Sequence, residues 1–434
     1  MPGPESQEEY FCGERTGSVR GQSGSTAFHQ AGEPTPLPSG WRWARLGELC
    51  EDHTEIRDPR RDPAASFRYI DISSVDNNLK RITTTQSILG ADAPSRARQV
   101  VRCGDVILAT TRPNLNAVAL VPPDLDGQVC STGFCVLRPG LELDSGYLFA
   151  YVQTREFVDA LTKLVQGALY PAVTDRQVRA QPIPLPPLPE QKRIVAIVNE
   201  QMKAVERARG AAEAQIEAAK GLPAAYLRQV FDSPEAKAWP RRTIGELFHL
   251  KLGKLLSPAA KSDVRPRPYL RNANVQWDSF DLSDVAVMDF AEREEQKYSL
   301  RPGDLLVCEG GEPGRAAVWD GRIAPCFFQK ALIRLRPRSP AVEARFVMFR
   351  LWLGATRGEF TGSHAKTTIA HLPGIRLRKL EVEVPPVELQ RQVVAHLDAR
   401  LVAARGLTEL AERQLREVEG LPGSLLRKAF RGEL

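Results

Sequence analysis

Phosphate chemistry calls for a glycine-rich loop, and Gly310-Gly311 with Gly314 is a candidate. Neither Gly-x-x-x-x-Gly-Lys-Ser/Thr nor Gly-x-Gly-x-x-Gly is present, so these glycines read as a turn between two strands. Glu235-x-Lys237 has the spacing of a nuclease Glu-x-Lys, but no Pro-Asp stands upstream at a suitable distance and the segment reads as linker. No Asn/Asp-Pro-Pro-Tyr/Phe stretch exists, which removes the usual amino-methyltransferase motif. The six histidines are scattered, and no Ser or Cys sits in a nucleophile elbow. The seven cysteines form no Cys-x-x-Cys pair, and Cys130 and Cys135 have no His at zinc-ligand spacing. They read as reduced thiols in a cytosolic protein, with no metal bound. No catalytic constellation emerges.

What the chain does offer is a set of polar and basic side chains near glycines and turns. One group surrounds Gln166 to Tyr170, with Thr174, Arg176 and Arg179; another is Ser363, His364, Lys366 and Thr367, with His371. Further candidates are Arg112, Asn114 and Asn116, then Lys251, Lys254, Arg271, Asn272, Asn274 and Arg315. Glycine lets backbone approach phosphates, while Arg, Lys and Asn reach base edges, so the chemistry these types suit is DNA recognition. The net charge of +6 points the same way.

The elements that position these residues repeat. Pro186-Pro187-Leu-Pro-Glu-Gln returns as Pro385-Pro386-Val-Glu-Leu-Gln, a shift of 199 residues, and Gly104-Asp105 returns as Gly303-Asp304 at the same shift. Repetition of this length organises a fold. Val195, Val198, Met202, Val205, Arg209, Ala212 and Ile216 are spaced by threes and fours, a heptad seam; Val394, Leu397, Leu401, Ala404, Thr408, Ala411 and Leu415 reproduce it. Pro189 suits a first helical turn, and Gly221-Leu222-Pro223 and Gly420-Leu421-Pro422 are expected to break both helices, leaving spacers ~45 Å long. Two matching seams predict an antiparallel coiled coil about a pseudo-two-fold axis.

Ahead of each helix lie strand-like runs: Phe67 to Ser73, Asp105 to Thr111, Ala117 to Val121 and Gly133 to Leu137, then Asp304 to Cys308, Ala316 to Trp319 and Lys330 to Leu335. The fold class expected is therefore α/β (α+β): two mixed heads, residues 37–185 and 233–384, and two helical regions, 186–232 and 385–434. Residues 1–36, rich in Gly, Ser, Gln, Glu and Pro, read as a disordered extension. No apolar run reaches the ~18 residues of a membrane span.

In this order, Leu46-Gly-Glu-Leu49 (with Ile244-Gly-Glu-Leu247), the Gly-Asp strand, Pro186-Pro-Leu-Pro-Glu-Gln and the ending Ser424-Leu-Leu-Arg-Lys-Ala-Phe-Arg-Gly-Glu-Leu434 resemble the specificity subunit of Type I restriction-modification systems, over residues 36 to 434. The second copy departs from the pattern, with Glu388-Leu389-Gln390 where the first has Pro189-Glu190-Gln191. The resemblance implies two target recognition domains, each reading half of a bipartite double-stranded DNA site. It implies no catalysis by this chain, assembly with two modification subunits and a restriction subunit, and S-adenosylmethionine, ATP and Mg on those partners only. The helices would then carry assembly as well as spacing. Two other classes stay open at this point: a coiled-coil scaffold that does not read DNA, and an enzyme with an unfamiliar site around Glu309 to Arg315.

Overall fold

The structure, a computed structural model, describes residues 36–52, 54–165, 171–256, 265–360 and 371–434. It divides into two compact units. The first holds the described residues up to Ala211 together with Leu415–Leu434; the second is formed by the described residues of Ala212–Gln414.

In the first unit, Val106–Ala109 lies between Phe134–Leu137 and Val118–Leu120, antiparallel to both. All four residues of this strand are buried, which is why it reads as a continuous apolar run. Val106 and Leu108 face one core, and Ile107 and Ala109 face another. A second sheet runs in the order Gln86–Leu89, Ser66–Ile70, Val129–Ser131, Ala97–Val100, with a parallel pair in the middle. Arg42–Arg45 pairs with Pro182–Leu185, so the head opens and closes on one ribbon.

The second unit repeats this plan. Leu305–Cys308 takes the central place beside Ala316–Val318 and Leu332–Pro337, again splitting its residues between two cores. Pro266–Leu270 pairs antiparallel with Ala286–Asp289 and parallel with Phe327–Phe328, and Arg241–Thr243 closes on Glu381–Glu383. Mixed α/β heads carrying long helices are what the repeat predicted.

The long helices are Leu188–Phe231 and Val387–Arg431, of 44 and 45 residues, about 66 Å each at ~1.5 Å per residue. The expected breaks do not occur: Pro223 and Pro422 lie inside the helices. A proline forfeits one backbone hydrogen bond. Beyond Pro223, however, Leu227 and Phe231 are core residues of the second unit, and beyond Pro422, Leu426, Ala429 and Phe430 are core residues of the first. Burial of such side chains, ~1.5–3 kcal/mol each, offsets the lost bond. Within the first unit, Ile194 and Val198 from the start of one helix join Leu426 and Phe430 from the end of the other. Within the second, Leu227 and Phe231 join Leu397 and Leu401. In each unit a helix start therefore meets a helix end, the antiparallel arrangement.

Every seam position is buried or half-buried: Val198, Ala212, Ile216, Leu397, Leu401, Ala404 and Ala411 fully, and Val195, Met202, Val205, Arg209, Val394, Thr408 and Leu415 in part.

Candidate nucleic-acid interface

Three pins appear in both units and set the frame. Gly104 and Gly303 take φ of 84° and 91°, the left-handed region that favours glycine. The turn delivers the next residue, Asp105 or Asp304, into the interior at 1% and 2% exposure. Arg138 donates to Asp105 from Nε at 2.9 Å and Nη2 at 2.8 Å; Arg336 donates to Asp304 from the same atoms at 2.7 Å each. The backbone N–H groups of Arg102 and Arg301 also donate to these carboxylates. The repeated Gly-Asp step and the arginine of Arg138-Pro139 or Arg336-Pro337 are thus the two halves of one bidentate ion pair, a geometry that tolerates burial because both oxygens are satisfied.

The third pin is Gln191 and its counterpart Gln390, both buried in the first turn of a long helix. Gln191 donates to Glu142 O and Pro186 O at 2.9 Å each and accepts from Asp144 N at 2.8 Å. Gln390 donates to Ala341 O and Pro385 O and accepts from Glu343 N at 2.9 Å. Each glutamine ties its helix to the N-cap of a head helix. Sequence reasoning quoted both within the repeated motif without giving them a role; the signal was the one polar residue that survives at the same place in both copies.

On that frame the turn after the central strand carries candidates in both units. In the first, Arg112 and Asn116 adopt left-handed φ of 50° and 46° around a 3-10 turn at Pro113–Leu115. The Arg112 N–H donates to Pro171 O at 2.8 Å, Val173 N–H donates to Thr110 O, and Thr111 bridges Ala172, so this turn anchors the returning segment. Arg112 and Asn114 are exposed, with no side-chain hydrogen bond to a described residue. Asn116 accepts from Lys80 Nζ at 2.7 Å through its backbone, and its Oδ1 is buried without a partner. Thr174 caps the helix Asp175–Arg179. Arg176 is exposed and lines a cavity of about 650 Å³ with Arg45, Glu48, Asp52, Asp175 and Arg179.

In the second unit the matching turn is Glu309 to Arg315. It anchors its returning segment at the same place, through a Gly310–His371 bridge and a 2.7 Å bond from Leu372 N–H to Glu309 O. Asn272 Nδ2 donates to Gly310 O at 2.8 Å, and Arg315 donates to Asn272 O at 3.0 Å and to Glu312 at 3.1 Å. Gly310, Asn272, Arg315 and His371 are therefore brought together, with Asn272 Oδ1 and Arg315 Nε buried and unpartnered.

Other candidates are committed inside the fold. Lys254 donates to Asp289 O and Glu294 Oε2 at 2.6 Å each; Arg271 donates to Asp284 at 2.7 Å; buried Asn274 donates to Asp281 O and Asp284 O at 2.9 Å. Tyr170, Ser363, His364, Lys366 and Thr367 lie outside the described residues, as do residues 1–35 of the expected extension.

Five buried thiols are held protonated, which makes them poor nucleophiles. Burial pushes Cys50 and Cys326 up to about 12 and Cys308 to about 11, and raises Cys130 and Cys135 further. Among the described residues no group of three or more His, Cys, Asp or Glu could hold a metal ion, and no helix is long and apolar enough to cross a membrane.

Two α/β units of the same plan, with unlike polar turns and long helices in their cores, present the kinds of donor that suit DNA recognition. Comparison with known proteins narrows this. The model of the Type I restriction modification DNA specificity domain matches residues 38–217. The EcoKI specificity subunit of Escherichia coli K12 is 23% identical over 420 residues, covering 92% of this chain and 90% of its own; the StySPI specificity subunit of Salmonella potsdam is 22% identical with the same coverage. The HsdS subunit of Thermoanaerobacter tengcongensis is 34% identical with a TM-score of 0.69, covering 92% of this chain and 99% of its own. A chain from a structure of type I R-M complex assembly and conformational transition is 34% identical with a TM-score of 0.79, covering 92% and 100%.

The chain belongs to the specificity-subunit family of Type I restriction-modification systems. Its function is DNA sequence recognition within such a complex, as a subunit that is not the catalyst.

Proposed function

We propose that each α/β unit is a target recognition domain reading one half of a split DNA site, and that the two halves differ in sequence. The observation that carries this is the pairing of a shared frame with unlike turns: the Asp–Arg pair, the glutamine hook and the anchored return are common, while one unit has Arg112-Pro-Asn-Leu-Asn116 where the other has Gly311-Glu-Pro-Gly-Arg315. Identical frames place the turns alike; different donors select different bases.

On this reading the long helices, outside the seam, seat two modification subunits, and a restriction subunit completes the complex. S-adenosylmethionine, ATP and Mg belong to those partners, which work with this chain in the cytoplasm. The chain's own part is to hold the duplex so that a partner reaches its adenine.

The test is to co-express the chain with the modification subunit and map methylated adenines across the host genome by single-molecule sequencing. A split, asymmetric motif that vanishes on deletion of this chain is the expected result. A stable complex whose methylation is indifferent to the chain overturns the reading and leaves a scaffold.

A further inference from the structure

In the second unit the strand Phe248–Leu252 pairs antiparallel with Leu332–Pro337, and the register sets Lys251 directly opposite Arg334. Like charges at opposed positions destabilise a sheet pair. Arg334 is only 7% exposed: its guanidinium lies over the Phe328 ring at 5.5 Å, Nη1 donates to Ser299 O at 2.8 Å, and Nε is buried without a partner. Tyr298 collects two more cations, with Lys251 Nζ 5.6 Å and Lys297 Nζ 5.3 Å from its ring centroid. Burial and then the charge of Lys297 hold Lys251 below the usual lysine value, and burial with the charge of Arg336 pushes Arg334 down to about 10.

The carboxylates of the surrounding elements are engaged elsewhere. Glu294 is held by Lys254 at 2.6 Å, Glu295 by Arg267 at 3.2 Å, Glu292 by Arg265 at 3.9 Å, and Asp304 by both arms of Arg336. Among the described residues no ion pair joins a carboxylate to Lys251, Lys297 or Arg334. The first unit has nothing equivalent, since Val136 stands where the repeat places Arg334. Three cations are gathered with no described carboxylate in ion-pair contact; Asp304, held by Arg336, acts on Arg334 only at a distance, and the aromatic ring beneath the two lysines supplies a weak partner.

We propose that Lys251 and Lys297, seated on Tyr298 and backed by Arg334, bind a backbone phosphate of the DNA in the half-site read by the second unit. This rests on the reading of the chain as a two-headed recognition subunit. The lysine ammoniums make the contact; Arg334 lies beneath them and adds field. A phosphate relieves the repulsion, so the site is more stable filled than empty, and it holds any sequence equally.

The test uses the complex with the modification subunit, titrated against a duplex bearing the mapped motif and against a scrambled duplex between about 50 and 200 mM salt. In the double variant Lys251→Gln/Lys297→Gln, affinity should fall about tenfold on both duplexes alike and the logarithmic salt slope should shrink by about one. The methylated motif should be unchanged, and the thermal midpoint without DNA should stay level or rise, because like charges have been removed. Unchanged affinity and slope overturn the site while leaving the motif-based reading intact. Loss of the modification subunit from the variant complex also overturns it, in favour of an acidic protein surface. A midpoint raised by inorganic phosphate in the parental complex alone, with the DNA slope unaltered, overturns it in favour of a free anion. A genome map with no motif dependent on the parental chain defeats the underlying reading instead.

Discussion

The two units keep the same central strands in the same order and part at sheet edges: Ala97–Val100 extends the second sheet of the first unit alone, and the central sheet is extended in the second unit alone. In the second unit Phe248–Leu252 adds a fourth strand, paired along five residues with Leu332–Pro337. In the first unit the described residues of the equivalent stretch make isolated bridges, Cys50 to Pro139 and Ile56 to Gln99; Arg179 donates to Val136 O on the strand edge and to Glu51 O on that stretch, and lines the cavity of about 650 Å³ with Asp52, Thr54 and Ile56. The sequences explain the difference. Phe248-His-Leu-Lys-Leu alternates as a half-buried strand does, with Phe248 in the core; Cys50-Glu51-Asp52 places strand-depleted acids at the same point. Both choices keep the Asp–Arg pin one strand away. The pins hold the frame while the edge is free to differ, and the edge is where charge is displayed.

The largest effect should come from breaking the shared pin. Arg138→Ala and Arg336→Ala each strand a buried carboxylate, at about 3–5 kcal/mol apiece. Hydrogen exchange should show the loss confined to the unit carrying the substitution and of similar size in both. A cost in one unit only would mean that the frames are not equivalent.

The glutamine hooks come next. Gln191→Ala and Gln390→Ala each remove three hydrogen bonds and orphan the N–H of an N-cap residue, costing about 1–3 kcal/mol. Chemical denaturation of each variant, read beside exchange at Asp144 or Glu343, measures it. A neutral result at Gln390 would show that the second copy's departure, Glu388-Leu389 for Pro189-Glu190, had already loosened that hook.

A third substitution sharpens the asymmetry. Arg345 donates to Asp278 at 2.7 and 2.8 Å and to Asp398 at 2.6 Å, fastening the hairpin turn of the second unit to its long helix. The repeat places Gly146, Asn78 and Asn199 at the matching positions of the first unit, and a side chain at Gly146 would press on Val195 at 2.9 Å. Arg345→Ala should therefore cost about 1–2 kcal/mol, moderated by partial exposure, and only in the second unit. Thermal unfolding with domain-resolved exchange decides it; equal loosening of both units would contradict a clamp built into one.

How much of this the sequence disclosed follows from range. The heptad seam and the Gly-Asp strands are local patterns and were legible as they stand. That Asp105 and Arg138 belong to one ion pair was not, because they sit 33 residues apart and only the antiparallel register of Val106–Ala109 with Phe134–Leu137 joins them. The helix breaks were misread for the opposite reason: Gly-Leu-Pro is a strong local signal, overridden by anchors such as Leu227 and Phe430 that lock into a core beyond it. For the DNA candidates, residue type announced donors but not whether the fold had already used them. Lys254 and Arg112 look alike in sequence; one is held by Asp289 and Glu294, and the other is exposed.

That contrast supplies the smallest and most selective expected effect on stability. Arg112 is the left-handed residue that opens the turn Pro113–Leu115, its backbone held by the bond to Pro171 O, so truncating its exposed side chain removes a surface cation and leaves the turn in place. Arg112→Ala should change stability by no more than about 0.5 kcal/mol. Arg315→Ala, at the other unit's turn, removes bonds to Glu312 and Asn272 and should cost about 1 kcal/mol or more. In motif mapping, Arg112→Ala should relax bases in one half-site and leave the other half unaltered, because a base contact is worth about 1–3 kcal/mol at its own position alone. Relaxation of both halves, or uniform weakening with a shallower salt slope, would reassign Arg112 to the backbone and place base reading by the first unit elsewhere on its surface.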